Sequence, residues 1–218
     1  MLKSLGSGVV VVVGLLWLAL LLPAPAAAAA APVLLVYGDS LSAAYGLRTE
    51  EGWVRLLAQR LQAEGLDYTV ANASISGETT LGGRNRIAGA LKHFQPAVVV
   101  IELGGNDGLR GLSLEDTRTN LVTMIRAARK AGAAVLLVGM ELPPNYGKPY
   151  TEKFRGLFRD VAKAERVPLV PFLLAGFAEK RDAFQPDGIH PAASAQGQML
   201  DTVWPQLRPL LKPPVKQR

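Results

Sequence analysis

Five short apolar runs, separated by amphipathic stretches, constrain this chain more than any other feature. They lie at residues 33–37, 68–73, 97–103 (AVVVIEL), 134–140 (AVLLVGM) and 167–172. Each is rich in Val, Leu or Ile, and most are apolar throughout instead of alternating with polar residues. Strands buried on both faces read this way, and they belong to parallel sheets covered by helices. The stretches between them carry apolar residues at helical spacing: residues 52–63, 79–94, 114–131 and 150–165, with a last helix within 191–210. Gln95-Pro96 ends the second of these, because the residue before proline avoids the helical region. Alternating strands and helices predict an α/β fold: a three-layer, doubly wound (flavodoxin-like) sheet of about five parallel strands with helices on both faces. In such a sheet the chemistry belongs outside the carboxyl ends of the strands.

Composition narrows the chemistry. The chain has 218 residues, 49% hydrophobic and 19% charged, which suits one globular domain over residues 32–218. Its formal net charge is +6, but the basic residues are interspersed with acids along helices. No clustered basic stripe or nucleic-acid motif is present, so nucleic-acid binding is not expected. There is no cysteine, which excludes disulfides, thiolate metal sites, a cysteine nucleophile and a lipid-modified cysteine. The only histidines are His93 and His190, too few for a multi-histidine zinc site. No metal and no cofactor are expected.

Residues 1–31 are a separate object. Lys3 precedes the apolar stretch 9–22, then Pro23-Ala24-Pro25, then a run of alanines with small-x-small cleavage sites. This is the pattern of a cleaved secretory signal peptide, and the apolar stretch is shorter than the ~20 residues needed to span a bilayer. Pro32 disfavours a cut directly after Ala31 and moves it a few residues earlier. A periplasmic or secreted protein is expected, with no stable membrane span after cleavage. Nothing in the sequence demands a partner subunit, so a monomer is expected.

Four segments that follow strands carry the polar residues and glycines. "YGDSLSAAYG" follows the first strand, "NASISGET" the second, "LGGNDG" the third, and "QPDGIHP" precedes the last helix. Ser40 in the first is either an N-cap at the head of a helix or a nucleophile. A serine hydroxyl needs a base to take its proton, and the base needs an acid to fix its tautomer. Asp187 and His190 are three residues apart, a spacing that places both on one side of a helical turn. Gly188 permits a tight turn between them, and Pro191 starts the next helix. His93 is the rival base, but it sits near a helix C-terminus, where histidine is usually structural, and no carboxylate lies at i±3 or i±4. Acyl transfer also needs donors for the oxyanion. The Ser40 N–H at a helix N-terminus, the Gly77 N–H and the Asn106 side-chain amide are candidates. Asp39 and Asp107 are expected to brace their loops. No nucleophile elbow, phosphate-binding loop or dinucleotide fingerprint is present.

In order, Gly38-Asp39-Ser40-Leu41, Gly77, Gly104-x-Asn106-Asp107 and Asp187-x-x-His190 resemble the four blocks of the SGNH (GDSL) hydrolase family. With "LPPNYGKPY", they are similar to the bacterial periplasmic thioesterase I / lysophospholipase L1 / arylesterase group, from about residue 33 to the last helix. The resemblance implies Ser40 as nucleophile, His190 as base and Asp187 as its orienting acid. It implies an oxyanion hole of Ser40, Gly77 and Asn106. It also implies that the loop after the fourth strand shapes an acyl site, with Leu142, Pro143, Pro144 and Tyr146 there and Leu109 as a further wall. Ala44 stands where relatives carry glycine, a difference expected to matter little. The implied function is hydrolysis of a small acyl ester or thioester, lysophospholipids and aryl esters included. A carbohydrate O-deacetylase of the same fold is the alternative enzyme, and a lipid-binding module without catalysis is the alternative outside enzymes.

Overall fold

The computed structural model describes residues 30–211, so the expected leader lies, but for its last two residues, outside the described residues. The strands are β1 (Val33–Gly38), β2 (Thr69–Asn72), β3 (Val98–Glu102), β4 (Ala134–Val138) and β5 (Leu169–Val170). They form one sheet in the order β2-β1-β3-β4-β5, and every pairing is parallel. The helices are α1 (Trp53–Ala63), α2 (Thr80–Phe94), α3 (Gly105–Leu109), α4 (Leu114–Lys130), α5 (Lys148–Glu165) and α6 (Gln196–Leu207).

Strand side chains alternate between two cores. Leu34, Val36, Val98, Val100, Leu136 and Val138 meet α1 and α6 through Trp53, Leu57, Met199 and Val203. Leu35, Tyr37, Val99, Ile101, Val135 and Leu137 meet α2, α4 and α5 through Ile87, Leu121, Ile125, Phe154 and Phe158. Both faces of the sheet are therefore apolar, which is why these strands show no hydrophobic alternation. The chain order reverses between β1 and β3, which places the crevice of a doubly wound sheet beside the ends of those two strands.

Four local expectations need correction. No helix starts at Ser40. The Ala43 N–H donates to the Asp39 carbonyl at 2.9 Å and the Tyr45 N–H to the Ser40 carbonyl at 3.1 Å. Ala44 then turns left-handed at φ 58° and Gly46 at φ 73°, so a right-handed helix cannot continue. The fifth strand is two residues long, not six, because Pro168 and Pro171 flank it and neither can donate to a ladder. Pro191 does not begin the last helix: it pairs in an isolated bridge with Phe184, and α6 starts at Gln196. The short helix α3, which was not expected, carries Asn106.

Ala44 is one of three non-glycine residues with positive φ among the described residues. The left-handed region costs a non-glycine residue roughly 1–2 kcal/mol, and glycine's extra unfolded-state entropy returns roughly 0.4–1 kcal/mol of any gain. Ala44→Gly is expected to raise stability by up to about 1 kcal/mol, read as a higher urea midpoint at unchanged slope.

Candidate active site

The four polar segments meet at the carboxyl edge of the sheet. Ser40 follows β1, and its Oγ lies 2.9 Å from His190 Nε2. His190 Nδ1 lies 2.6 Å from Asp187 Oδ2. The other Asp187 oxygen accepts the Ile189 N–H at 2.9 Å and the His190 N–H at 3.0 Å. Gly188 at φ 67° makes the turn that folds the carboxylate back onto these two amides. The expected same-side placement of Asp187 and His190 thus arises from a tight turn and not from a helix. The two backbone donors, followed by the imidazole, hold the Asp187 carboxyl down at about 2. An ionised carboxylate only accepts hydrogen bonds. Nδ1 must therefore carry the proton, which leaves the Nε2 lone pair facing the Ser40 hydroxyl.

His190 is held from two further sides. The Tyr45 ring leans on it, with centroids 4.4 Å apart. The Gln185 N–H donates to the His190 carbonyl at 2.8 Å, while the Gln185 amide donates to the Tyr45 carbonyl at 2.8 Å and the Pro191 carbonyl at 3.1 Å. Gln185 therefore ties the β1 turn to the His190 loop. Neither residue was identified from sequence: Gln185 lies within "QPDGIHP", but nothing local marks its reach across the chain. The rival His93 is exposed in the last turn of α2, against Phe94, at the opposite edge of the sheet.

Asn106 shares a cleft with Ser40, Leu109, Ile189 and His190. One hydrogen of its amide goes to Asp39 Oδ2 at 3.1 Å, which leaves the second for a ligand. Asp39 also accepts the Leu41 N–H at 3.0 Å, so it braces the turn under Ser40. Burial pushes its carboxyl up to about 6 despite those two donors. The Ser40 and Gly77 N–H groups donate to nothing among the described residues. Gly77, at φ 77°, sits on the loop after β2. The contacts that hold that loop include the Ile75 N–H to the Gly38 carbonyl at 3.0 Å, Arg86 to Glu78 at 2.6 Å, and Arg110 to the Gly77 carbonyl at 3.0 Å.

A cavity of about 350 Å³ adjoins the cleft and shares Gly105, Leu109, Met140 and Ile189 with it. Leu109, Leu142, Pro143 and Pro144, which the family resemblance assigns to an acyl site, line it. Tyr146 does not line it; the Tyr146 hydroxyl instead donates to the Leu109 carbonyl at 3.0 Å and pins that wall. Phe172, Leu174, Ala178 and Phe184 complete the cavity from the segment after β5. That segment lacks a hydrophobic period, so sequence gave no reason to assign them.

Asp107 fixes α3. It is 2% exposed and accepts from the Thr80 N–H at 2.9 Å, the Thr80 hydroxyl at 2.5 Å and the Thr117 hydroxyl at 3.4 Å. This anchors the Asn106 turn to the start of α2 and to α4. Asp107→Ala strands the buried Thr80 donors. It is expected to cost roughly 2–6 kcal/mol in chemical unfolding, at about 1–3 kcal/mol for each of the two unpaired groups.

Comparison with known proteins agrees with this geometry. The sequence profile of the GDSL-like Lipase/Acylhydrolase family matches residues 36–197. Esterase TesA of Pseudomonas aeruginosa is 54% identical over 181 residues, covering 83% of this chain and 90% of the relative. The thioesterase 1/protease 1/lysophospholipase L1 of Escherichia coli is 42% identical over 83% of this chain and 86% of its own length. The crystal structure of TesA superposes with a TM-score of 0.81, covering 82% of this chain and 99% of that one. The psychrotrophic esterase EstA from Pseudoalteromonas, 39% identical, superposes at 0.78, covering 81% and 97% of the two chains. A shared profile over most of the described residues, and shared architecture at this level of identity, place the chain in the GDSL-like lipase/acylhydrolase family.

Proposed function

We propose that the protein is an exported serine hydrolase that cleaves acyl esters, lysophospholipids and small aryl esters among them, through an acyl-enzyme on Ser40. The observation that carries this reading is the continuous chain from Ser40 Oγ through both nitrogens of His190 to Asp187, with contacts of 2.9 and 2.6 Å. The names of the relatives, an esterase and a thioesterase/lysophospholipase, support the substrate class. The leader-like residues 1–31 support export to the periplasm or beyond the cell. No helix among the described residues is long and apolar enough to cross a membrane.

In this mechanism Ser40 Oγ attacks the ester carbonyl carbon while His190 Nε2 takes the hydroxyl proton. The developing imidazolium is stabilised by the ionised Asp187. The carbonyl oxygen becomes an oxyanion and is received by the Ser40 N–H, the Gly77 N–H and the free hydrogen of the Asn106 amide. Collapse breaks the ester bond, and His190 returns its proton to the departing alcohol or thiol oxygen or sulfur. Water then attacks the Ser40 acyl ester, with His190 again as base, and the acid product leaves. The acyl chain occupies the apolar cavity between Leu109, Leu142, Pro143 and Leu174. That cavity lies at the small end of the ligand-pocket range of roughly 300–1,000 Å³, so it takes a chain and not a whole lipid. An acetyl group would leave most of this largely apolar cavity unfilled, which favours a longer acyl ester over an acetylated sugar.

Hydrolysis of p-nitrophenyl esters from acetate to palmitate tests the proposal. The expected profile rises from acetate, peaks where the chain fills the cavity and falls for longer chains. Ser40→Ala is expected to lose roughly 10⁴–10⁶-fold of kcat at every length. Activity retained by Ser40→Ala would overturn the mechanism.

A further inference from the structure

The mechanism leaves a fully buried carboxyl unused. Glu102 ends β3 at the centre of the sheet, opposite Gly38 of β1, and is 0% exposed. Its Oε2 accepts the Ser42 hydroxyl at 2.7 Å and the Asp39 N–H at 3.4 Å. Its Oε1 is buried and has no partner among the described residues. A β-carbon on Gly38 would stand 2.6 Å from Oε2, so the β1 backbone rests directly on this carboxyl. Glu102 is thus the floor of the Gly38–Ser42 turn that carries Ser40.

The surroundings do not suit a charge. Among the described residues no cation pairs with Glu102; the titratable group that acts on it is Asp39, another acid. Asp39 in turn faces His190 and Asp107. Two ionised carboxyls in one dry site would repel, and an uncompensated buried charge costs several kcal/mol. Burial first, and the Asp39 charge second, push the Glu102 carboxyl well above its ordinary value. Asp39 has the better claim to ionise, because each of its oxygens receives an N–H, whereas both donors to Glu102 meet Oε2 and leave Oε1 bare.

We propose that Glu102 is a positioning residue that works in its neutral, protonated form: it supports the Gly38–Ser42 turn from beneath and leaves the buried negative charge to Asp39, which holds the Asn106 amide. The proposal rests on Asn106 serving the oxyanion. It assigns Glu102 no contact with substrate. A proton on Glu102 keeps Asp39 a pure acceptor at neutral pH. Were Glu102 ionised, the proton would fall to Asp39, whose hydroxyl would then compete for the oxygens that receive Leu41 and Asn106.

Three measurements on the full chain test this. Infrared spectra at pH 8 should show the carbonyl stretch of one protonated buried carboxyl, and Glu102→Gln should remove it. Glu102→Gln, neutral and of the same shape, should keep kcat and KM within about three-fold of the unaltered protein. Glu102→Ala should lose about ten-fold or more in kcat with little change in KM, since the acyl cavity is untouched. The proposal is overturned if no such band exists at pH 8. It is equally overturned if the band survives Glu102→Gln, which would assign it to Asp39, or if the folded Gln variant loses as much kcat as Ala. Should the Ala variant not fold, the infrared and Gln results decide. Because the infrared readout needs no turnover, its failure is separate from any failure of Ser40→Ala.

Discussion

All five strands run in one direction, so every strand's carboxyl end opens onto the same edge. The site depends on that constraint. Ser40, Gly77 and Asn106 are far apart in sequence and follow three different strands, yet they need no long excursions to meet. Only the Asp187–His190 segment arrives from elsewhere, and it comes from the connection between the short edge strand β5 and α6. The reversal of chain order between β1 and β3 does the rest. It parts the connections leaving those two strands, and the crevice between them receives Ser40 from one side and Asn106 from the other.

The charges at this edge are arranged by burial more than by ion pairing. Asp39, Glu102 and Asp107 are each 2% exposed or less, and among the described residues only uncharged donors reach them, with Glu102 Oε1 left bare. The linkage with pH has opposite signs at the two ends of the site. Asp39 is raised from 3.8 to about 6, so the folded chain holds this proton more tightly than the unfolded chain. Its contribution to stability is present below its ordinary value and is lost as pH rises through about 6. Asp187 is lowered from 3.8 to about 2. Its contribution is present above the ordinary value and is lost as pH falls towards 2; at 38% side-chain exposure, solvent screening keeps it small. Asp39 thus weakens the fold in the neutral range, where the exposed triad acid supports it. Holding an amide and a turn in place beneath the nucleophile offsets that weakening in function.

Much of this was legible in the sequence where physics acts locally. The Val-, Leu- and Ile-rich runs marked the strands because both faces are buried. Asp187 and His190 were readable because one turn contains both. The fit failed where long-range packing decides. The turn after Ser40 reads as a helix in composition, but Ala44 adopts a left-handed backbone that no propensity reveals. Helix α3 is too short to show a period, although it carries Asn106. Prolines cut β5 to two residues. Gln185 and Tyr45 secure His190 through contacts across some 140 positions. The cavity wall at Phe172, Leu174 and Phe184 comes from an irregular segment. Glu102 reads as an anomaly within an apolar strand, and only its neighbours Ser42 and Asp39 give it a purpose.

The central claim is that Ser40 is an activated nucleophile and not a turn residue. The most direct measurement treats the folded full-length chain with a fluorophosphonate, which reacts with serine only when a neighbouring base activates it, and locates the adduct by mass spectrometry. The account predicts one adduct, on Ser40, that disappears when His190 is replaced by alanine. No adduct, or an adduct on another residue such as Ser42, would contradict it.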